Sequence, residues 1–159
     1  MAKRKFYLAK EDEIKKGYVT DVYFERVVKI LKSKGYNKNV KCEVRAYGLP
    51  DKWNWAIFAG AEEVFSLMER KKVDIKCFPE GTVFNAGQPV MTVEGKYLDF
   101  AVYETSILGF ICQASGIATK ASRCKKAAGN RGVFSFGARR THPAIVPMVE
   151  RNAFIGGCD

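Results

Sequence analysis

The chain reads as an α+β domain that runs into the opening of an α/β barrel, and three observations carry that reading. In the first half, half-buried strand patterns at residues 39–47 and 73–77 are interleaved with amphipathic helical patterns. In the second half, a long helical stretch over residues 98–128 gives way to a short β-type run, Gly132-Val133-Phe134, and then to a helix from Pro143. That alternation is typical of a parallel sheet or barrel. Finally, Gly156-Gly157-Cys158-Asp159 leads toward another βα unit where the sequence stops. A (β/α)₈ barrel takes about 250 residues, so 159 residues hold only its first part. The expected division is an α+β domain over 1–107 and the beginning of the barrel over 108–159.

Each element has its own sequence signal. Residues 9–16 form a short helix with acidic residues near its start, closed by Gly17. Thr20 or Asp21 then caps a helix in which Tyr23, Val27, Ile30 and Leu31 share a face, until Gly35 stops it. Val40, Cys42, Val44 and Ala46 alternate with Lys41, Glu43, Arg45 and Tyr47, as on a half-buried strand. Gly48-Leu49-Pro50-Asp51 breaks the strand, and Trp53 and Trp55 follow. Ile57, Ala61, Val64, Phe65 and Met68 recur at helical spacing, and Val73, Ile75 and Cys77 alternate as a second strand. Residues 79–84 and 90–95 read as two short strands around Asn85-Ala86-Gly87-Gln88-Pro89, a hairpin with no lysine at its tip to carry a cofactor. Ser115-Gly116 is expected to break or kink the long helical stretch. Its small residues, Ala114, Ser115, Gly116 and Ala118, permit close packing against another backbone.

Composition narrows the function classes. Hydrophobic content of 47% and aromatic content of 13% supply a packed core and exclude disorder. No apolar run is long enough to span a bilayer, and the N-terminal Met-Ala-Lys-Arg-Lys lacks a signal-peptide core, so a cytoplasmic protein without a membrane partner is expected. Five scattered cysteines with no C-x-x-C pair, and a single histidine, offer no structural zinc site; reduced thiols are expected. The net charge of +10 fits phosphorylated substrates, nucleic acid or plain solubility. The cations are spread along helices, as at Lys29, Lys32 and Lys34, and no nucleic-acid motif is present, so nucleic acid is not the favoured partner.

The stretch with most chemical content is Ser135-Phe136-Gly137-Ala138-Arg139-Arg140-Thr141-His142-Pro143. A strand, a polar turn and a helix N-terminus make a ready anion site. Adjacent arginines can grip a carboxylate or phosphate through paired hydrogen bonds, and Phe136 offers a flat face to a ring. A surface turn with two solvated arginines fits the same spacing.

Six ordered motifs then resemble archaeal-type nicotinate phosphoribosyltransferase, of the type II phosphoribosyltransferases: Thr20-Asp21-Val22-Tyr23, Pro79-Glu80-Gly81-Thr82, Tyr103-Glu104-Thr105, Gln113-Ala114-Ser115-Gly116-Ile117-Ala118-Thr119, Phe136-Gly137-Ala138-Arg139-Arg140-Thr141-His142-Pro143 and Gly156-Gly157-Cys158-Asp159. The resemblance implies a quinolinate-phosphoribosyltransferase-like α+β N-terminal domain followed by a truncated (β/α) barrel. It implies transfer of phosphoribosyl from phosphoribosyl diphosphate, carried with Mg, to nicotinate, giving nicotinate mononucleotide and diphosphate, with ATP as a co-substrate of the full-length protein. It also implies a homodimer or higher homo-oligomer with shared active sites. Carried over, Phe136 and Tyr23 sandwich the pyridine ring, Tyr23 coming from the other subunit, and Arg139 contacts the nicotinate or the phosphoribosyl phosphate as the catalytic residue. Arg140 and His142 lie beside them as substrate-binding residues, and His142 fits a structural place at the helix N-terminus equally well. Asp21 is a cap or a Tyr23-positioning residue. One departure is plain: the histidine phosphorylated by ATP-coupled members lies on a later barrel strand, and the single histidine here sits in another motif. Quinolinate phosphoribosyltransferase is the near alternative, although its Asp-Thr-Arg-Lys-Thr run is absent. A truncated non-catalytic relative and a basic nucleic-acid-binding module are the remaining alternatives.

Overall fold

The computed structural model describes residues 6–159. Helix α1 (Glu11–Lys15) ends before Gly17, whose φ of 72° reverses the chain. Helix α2 (Val22–Ser33) starts from Asp21 and is followed by Gly35 at φ 65°. Strand β1 (Asn39–Arg45) alternates as its sequence demands, with Val40, Cys42 and Val44 turned inward. Next come β2 (Ala56–Ile57), α3 (Ala61–Met68), β3 (Val73–Cys77), β4 (Val83–Phe84) and β5 (Pro89–Lys96). Helix α4 (Tyr97–Phe100) and a 3₁₀ turn (Ala101–Tyr103) lead into α5 (Glu104–Ala128), and two further 3₁₀ turns precede α6 (Val146–Ile155).

The main sheet has the order β1-β5-β3 with both ladders antiparallel, and β2 pairs with β4 in a second small sheet. Central β5 buries Val90, Met91 and Val93 against α3 and α5, and Phe58, Val64 and Met91 are among the most deeply buried side chains. Burial of that many apolar groups, not helix propensity, holds the layers together.

Several sequence expectations are corrected. The expected hairpin at 79–95 does not form: β4 pairs with β2 (Ala56 opposite Phe84), and β5 occupies the gap between β1 and β3. Both edges of β5 are thereby taken, so the turn at 85–88 hands the chain from one sheet to the other. Ile57 belongs to β2, not to the helix that begins at Ala61. In α2 the buried residue is Phe24, whereas Tyr23 and Ile30 are 52% and 60% exposed. Docking of α2 on the Ala101–Tyr103 turn fixes its rotation, and one residue along a helix is a turn of about 100°.

Helix α5 runs unbroken through Ser115-Gly116. A mid-helix glycine costs about 1 kcal/mol, which the close packing of Ala114 and Ala118, both fully buried, outweighs. By length and composition the helical stretch Tyr97–Ala128 could cross a membrane, contrary to the expectation that no segment could. Its apolar side is instead committed to this core through Ile107, Ile111, Ala114 and Ala118. Residues 132–134 pair with no strand among the described residues. They are held by Asp159, whose backbone N–H donates to the Val133 carbonyl at 2.9 Å and whose carboxylate accepts from the Val133 N–H at 2.8 Å. A β-type run needs a neighbouring backbone, and here Asp159 supplies it.

Candidate active site

The Phe136 turn is built on α6. Gly137 lets it approach closely, because a Cβ there would stand 2.6 Å from Val149 Cγ1. The Ala138 N–H donates to Glu150 Oε1 at 3.2 Å, and Thr141 Oγ1 donates to the Gly137 carbonyl at 3.2 Å. Residues Gly137–Arg140 form one 3₁₀ turn and Pro143–Ile145 another. The sequence-based start of the helix at Pro143 is thus a tighter prelude to α6.

Three of the expected site residues come together here. Phe136 is 62% exposed, and the Arg139 guanidinium carbon lies 5.6 Å from its ring centroid. Arg140 Nη1 donates to the Phe136 carbonyl at 3.3 Å. Phe136, Arg139 and Arg140 line one open cleft, and neither arginine has a carboxylate partner among the described residues. A flat apolar face beside two unpaired guanidinium groups suits an aromatic anion. His142 accepts a hydrogen bond from the Ala144 N–H through Nδ1 at 3.1 Å. It therefore caps the second 3₁₀ turn, its ring also meets Phe6 edge-on at 5.9 Å, and Nε2 is the nitrogen left for a further hydrogen bond.

Tyr23 lies elsewhere. It sits on the first turn of α2, its ring 4.1 Å from that of Phe24, and it forms no ring pair with Phe136. Partial burial, then the charges of Glu104 and Asp21, push its phenol above the usual tyrosine value, so it stays protonated near neutrality. Asp21 does not cap α2 with its side chain. Instead, Thr105 Oγ1 donates to Asp21 Oδ2 at 2.8 Å, tying α2 to the start of α5.

The remaining motifs turn out to be joints. In Pro79-Glu80-Gly81-Thr82, Glu80 Oε1 accepts from the Gly60 and Ala61 N–H groups at the start of α3, at 2.6 and 2.8 Å. Its other oxygen pairs with Arg151 Nη2 of α6 at 2.7 Å, and Arg151 also reaches Glu62 at 2.8 Å. Burial pushes the Glu80 carboxyl up, but Arg151 and the two N–H donors outweigh it and hold the carboxyl below its ordinary value. In the Ser115–Thr119 motif, Thr119 Oγ1 accepts from the Ile57 N–H at 2.8 Å, and Ser115 Oγ both accepts from and donates to the Ala59 backbone. Two helix hydroxyls thus hold the backbone at the end of β2 and just beyond it. Gly156 rests on α5, since a Cβ there would lie 2.2 Å from the Ala118 carbonyl oxygen.

Sequence reasoning missed Arg151, 71 residues from Glu80, because no local pattern links them. It also missed the stacking of Arg123 between Trp53 and Trp55, 4.1 Å from each ring centroid. No group of three or more His, Cys, Asp or Glu side chains placed to hold a metal occurs among the described residues.

Comparison with known proteins is consistent with this architecture. Residues 21–115 match the family described as quinolinate phosphoribosyl transferase, N-terminal domain. A nicotinate phosphoribosyltransferase of Mycobacterium tuberculosis is 34% identical over 88 residues, covering 55% of this chain and 20% of that protein. One from Bacillus subtilis is 35% identical over 79 residues, covering 49% of this chain and 16% of that protein. Among solved structures, a nicotinate-nucleotide pyrophosphorylase from Pyrococcus furiosus has 52% identity and a TM-score of 0.96, over 99% of this chain and 40% of that one. Human nicotinic acid phosphoribosyltransferase, at 22% identity and a TM-score of 0.75 over 88% of this chain and 35% of that one, shares the fold. The chain therefore spans well under half the length of these relatives. By the match over residues 21–115, it belongs to the quinolinate phosphoribosyl transferase N-terminal domain family.

Proposed function

We propose that this chain forms the ring-holding part of a nicotinate phosphoribosyltransferase. The observation that carries the proposal is the exposed Phe136 ring beside the unpaired Arg139 and Arg140. The names of the curated relatives support the choice of nicotinate. In this reading the pyridine ring lies on Phe136, and Arg139 contacts the carboxylate or the phosphoribosyl phosphate. Arg140 adds a second positive charge, and His142 fixes the turn through Ala144. The pyridine nitrogen is already a nucleophile near neutral pH, so no base is needed. The nitrogen attacks C1 of phosphoribosyl diphosphate as the diphosphate leaves, and the protein supplies alignment and charge stabilisation.

Tyr23 completes the sandwich from a second copy of the chain, which fits its exposure and its separation from Phe136. Magnesium would be carried by phosphoribosyl diphosphate, where it would neutralise the charge of the leaving diphosphate. ATP belongs to the reaction of the longer protein. The test is nicotinate-dependent diphosphate release by a full-length protein carrying this domain, measured for the unaltered protein and for Arg139→Ala. Near-normal turnover in the variant removes the assignment. Quinolinate is the second reading, favoured by the family name. Parallel assays with nicotinate and quinolinate decide between the two.

A further inference from the structure

A second pocket lies away from the Phe136 turn. Between β1 and α5, a cavity of about 540 Å³ is lined by Val44, Leu49, Trp53, Phe84 and Ile111, with Cys112, Gly116 and Lys120 of α5 along one wall. That volume falls within the range of small-molecule sites, about 300–1,000 Å³. The hydroxyls of Ser115 and Thr119, which also line it, are committed to the backbone of Ala59 and Ile57. The body of an occupant must therefore be apolar.

The charge at the mouth is one-sided. Lys120 Nζ stands 5.4 Å from the Trp53 ring centroid, and Arg123 stacks on the same ring at 4.1 Å. Neither has a carboxylate partner among the described residues. Arg45, the other cation on the wall, is already paired with Glu43. Gly116 leaves the wall open, since a Cβ built there meets nothing within 4 Å.

We infer that this cavity binds an aryl monoanion, with the apolar rings between β1 and α5 and the carboxylate or sulfonate at Lys120. The inference is independent of the Phe136 reading, since no residue is shared between the two sites.

The probe is 1-anilinonaphthalene-8-sulfonate, with its uncharged analogue N-phenyl-1-naphthylamine as control, titrated into the 159-residue chain. Trp53 and Trp55 are the only tryptophans and Trp53 lines the cavity, so energy transfer follows dye binding while the variants below locate it. The expected result is saturable binding of one dye per chain, with energy transfer from the Trp53–Trp55 pair. Lys120→Met should weaken the sulfonate about tenfold and leave the neutral analogue unchanged, because only the charge contact is lost. Gly116→Leu should abolish binding of both dyes without lowering the melting temperature, since it fills open space and improves helix propensity. Undiminished binding in Gly116→Leu overturns the proposal, as does equal weakening of both dyes by Lys120→Met. A change in oligomeric state in Gly116→Leu with dye affinity intact assigns the cavity to a chain–chain contact and also overturns it.

Discussion

Replacing Glu80 with alanine should destabilise the fold by about 3 kcal/mol. The carboxylate accepts from Gly60 and Ala61 at 2.6 and 2.8 Å at the start of α3, where Ala59 is fully buried and Ala61 nearly so. Hydrogen bonds to a charged acceptor contribute about 1.5–3 kcal/mol each when their loss strands the partner. A helix N-cap alone is worth about 1 kcal/mol. Taken together, the two N–H contacts account for roughly 2.5 kcal/mol. The ion pair to Arg151 adds only about 0.5 kcal/mol, because Arg151 is 39% exposed and keeps Glu62. With a urea m-value near 2 kcal/mol/M, the unfolding midpoint should fall by about 1.5 M. Glu80→Gln keeps one acceptor oxygen and should lose about half as much. Because the folded-state Glu80 carboxyl sits below its ordinary value, its contribution is present above the unfolded pKa, about 4.3, and is lost as pH falls through the lower folded value. The gap between wild type and Glu80→Gln should therefore narrow below about pH 4. A midpoint shift under about 0.3 M for Glu80→Ala would show that the joint carries little of the fold's stability.

Other substitutions separate scaffold from chemistry. Gly156→Ala places a methyl 2.2 Å from the Ala118 carbonyl oxygen and 2.6 Å from Ala121 Cβ, so a loss of about 3 kcal/mol is expected in thermal or urea unfolding. Tyr23→Ala should leave stability within about 1 kcal/mol, since the ring is half exposed; in the full-length protein it should lower nicotinate turnover, and a variant that unfolds instead makes Tyr23 a core residue. Phe136→Ala should likewise leave the circular dichroism spectrum intact while raising the nicotinate KM at least tenfold, a loss of about 1.4 kcal/mol of ring contact.

Much of this molecule is legible in local spacing. The alternation of Val40, Cys42 and Val44 marked β1, and Gly17 and Gly35 marked chain reversals, each at positive φ in the structure. The cluster of Phe136, Arg139 and Arg140 lies within one turn, so the sequence already held it together. What escaped was set by distant partners. Ser115-Gly116 has the composition of a helix break, but the Ala59 backbone takes up the serine hydroxyl and Ala114 packs without a gap, so the helix continues. Residues 79–95 have the pattern of a hairpin, but β1 and β3 claim both edges of β5. Tyr23 and Phe24 are adjacent aromatics, and only the docking of α2 decides which one points inward.

Helix α5 also acts as a spacer of fixed length. Thr105 near its start holds Asp21 and the helix that carries Tyr23, while Lys125 near its end holds Asp159 and with it the segment leading to Phe136. Twenty helical residues between those anchors rise roughly 30 Å, and hydroxyls clamp the middle of the rod to the backbone of Ile57 and Ala59. A rod fastened at both ends and at its centre holds the start of α2 and the segment at Val133 at a fixed separation.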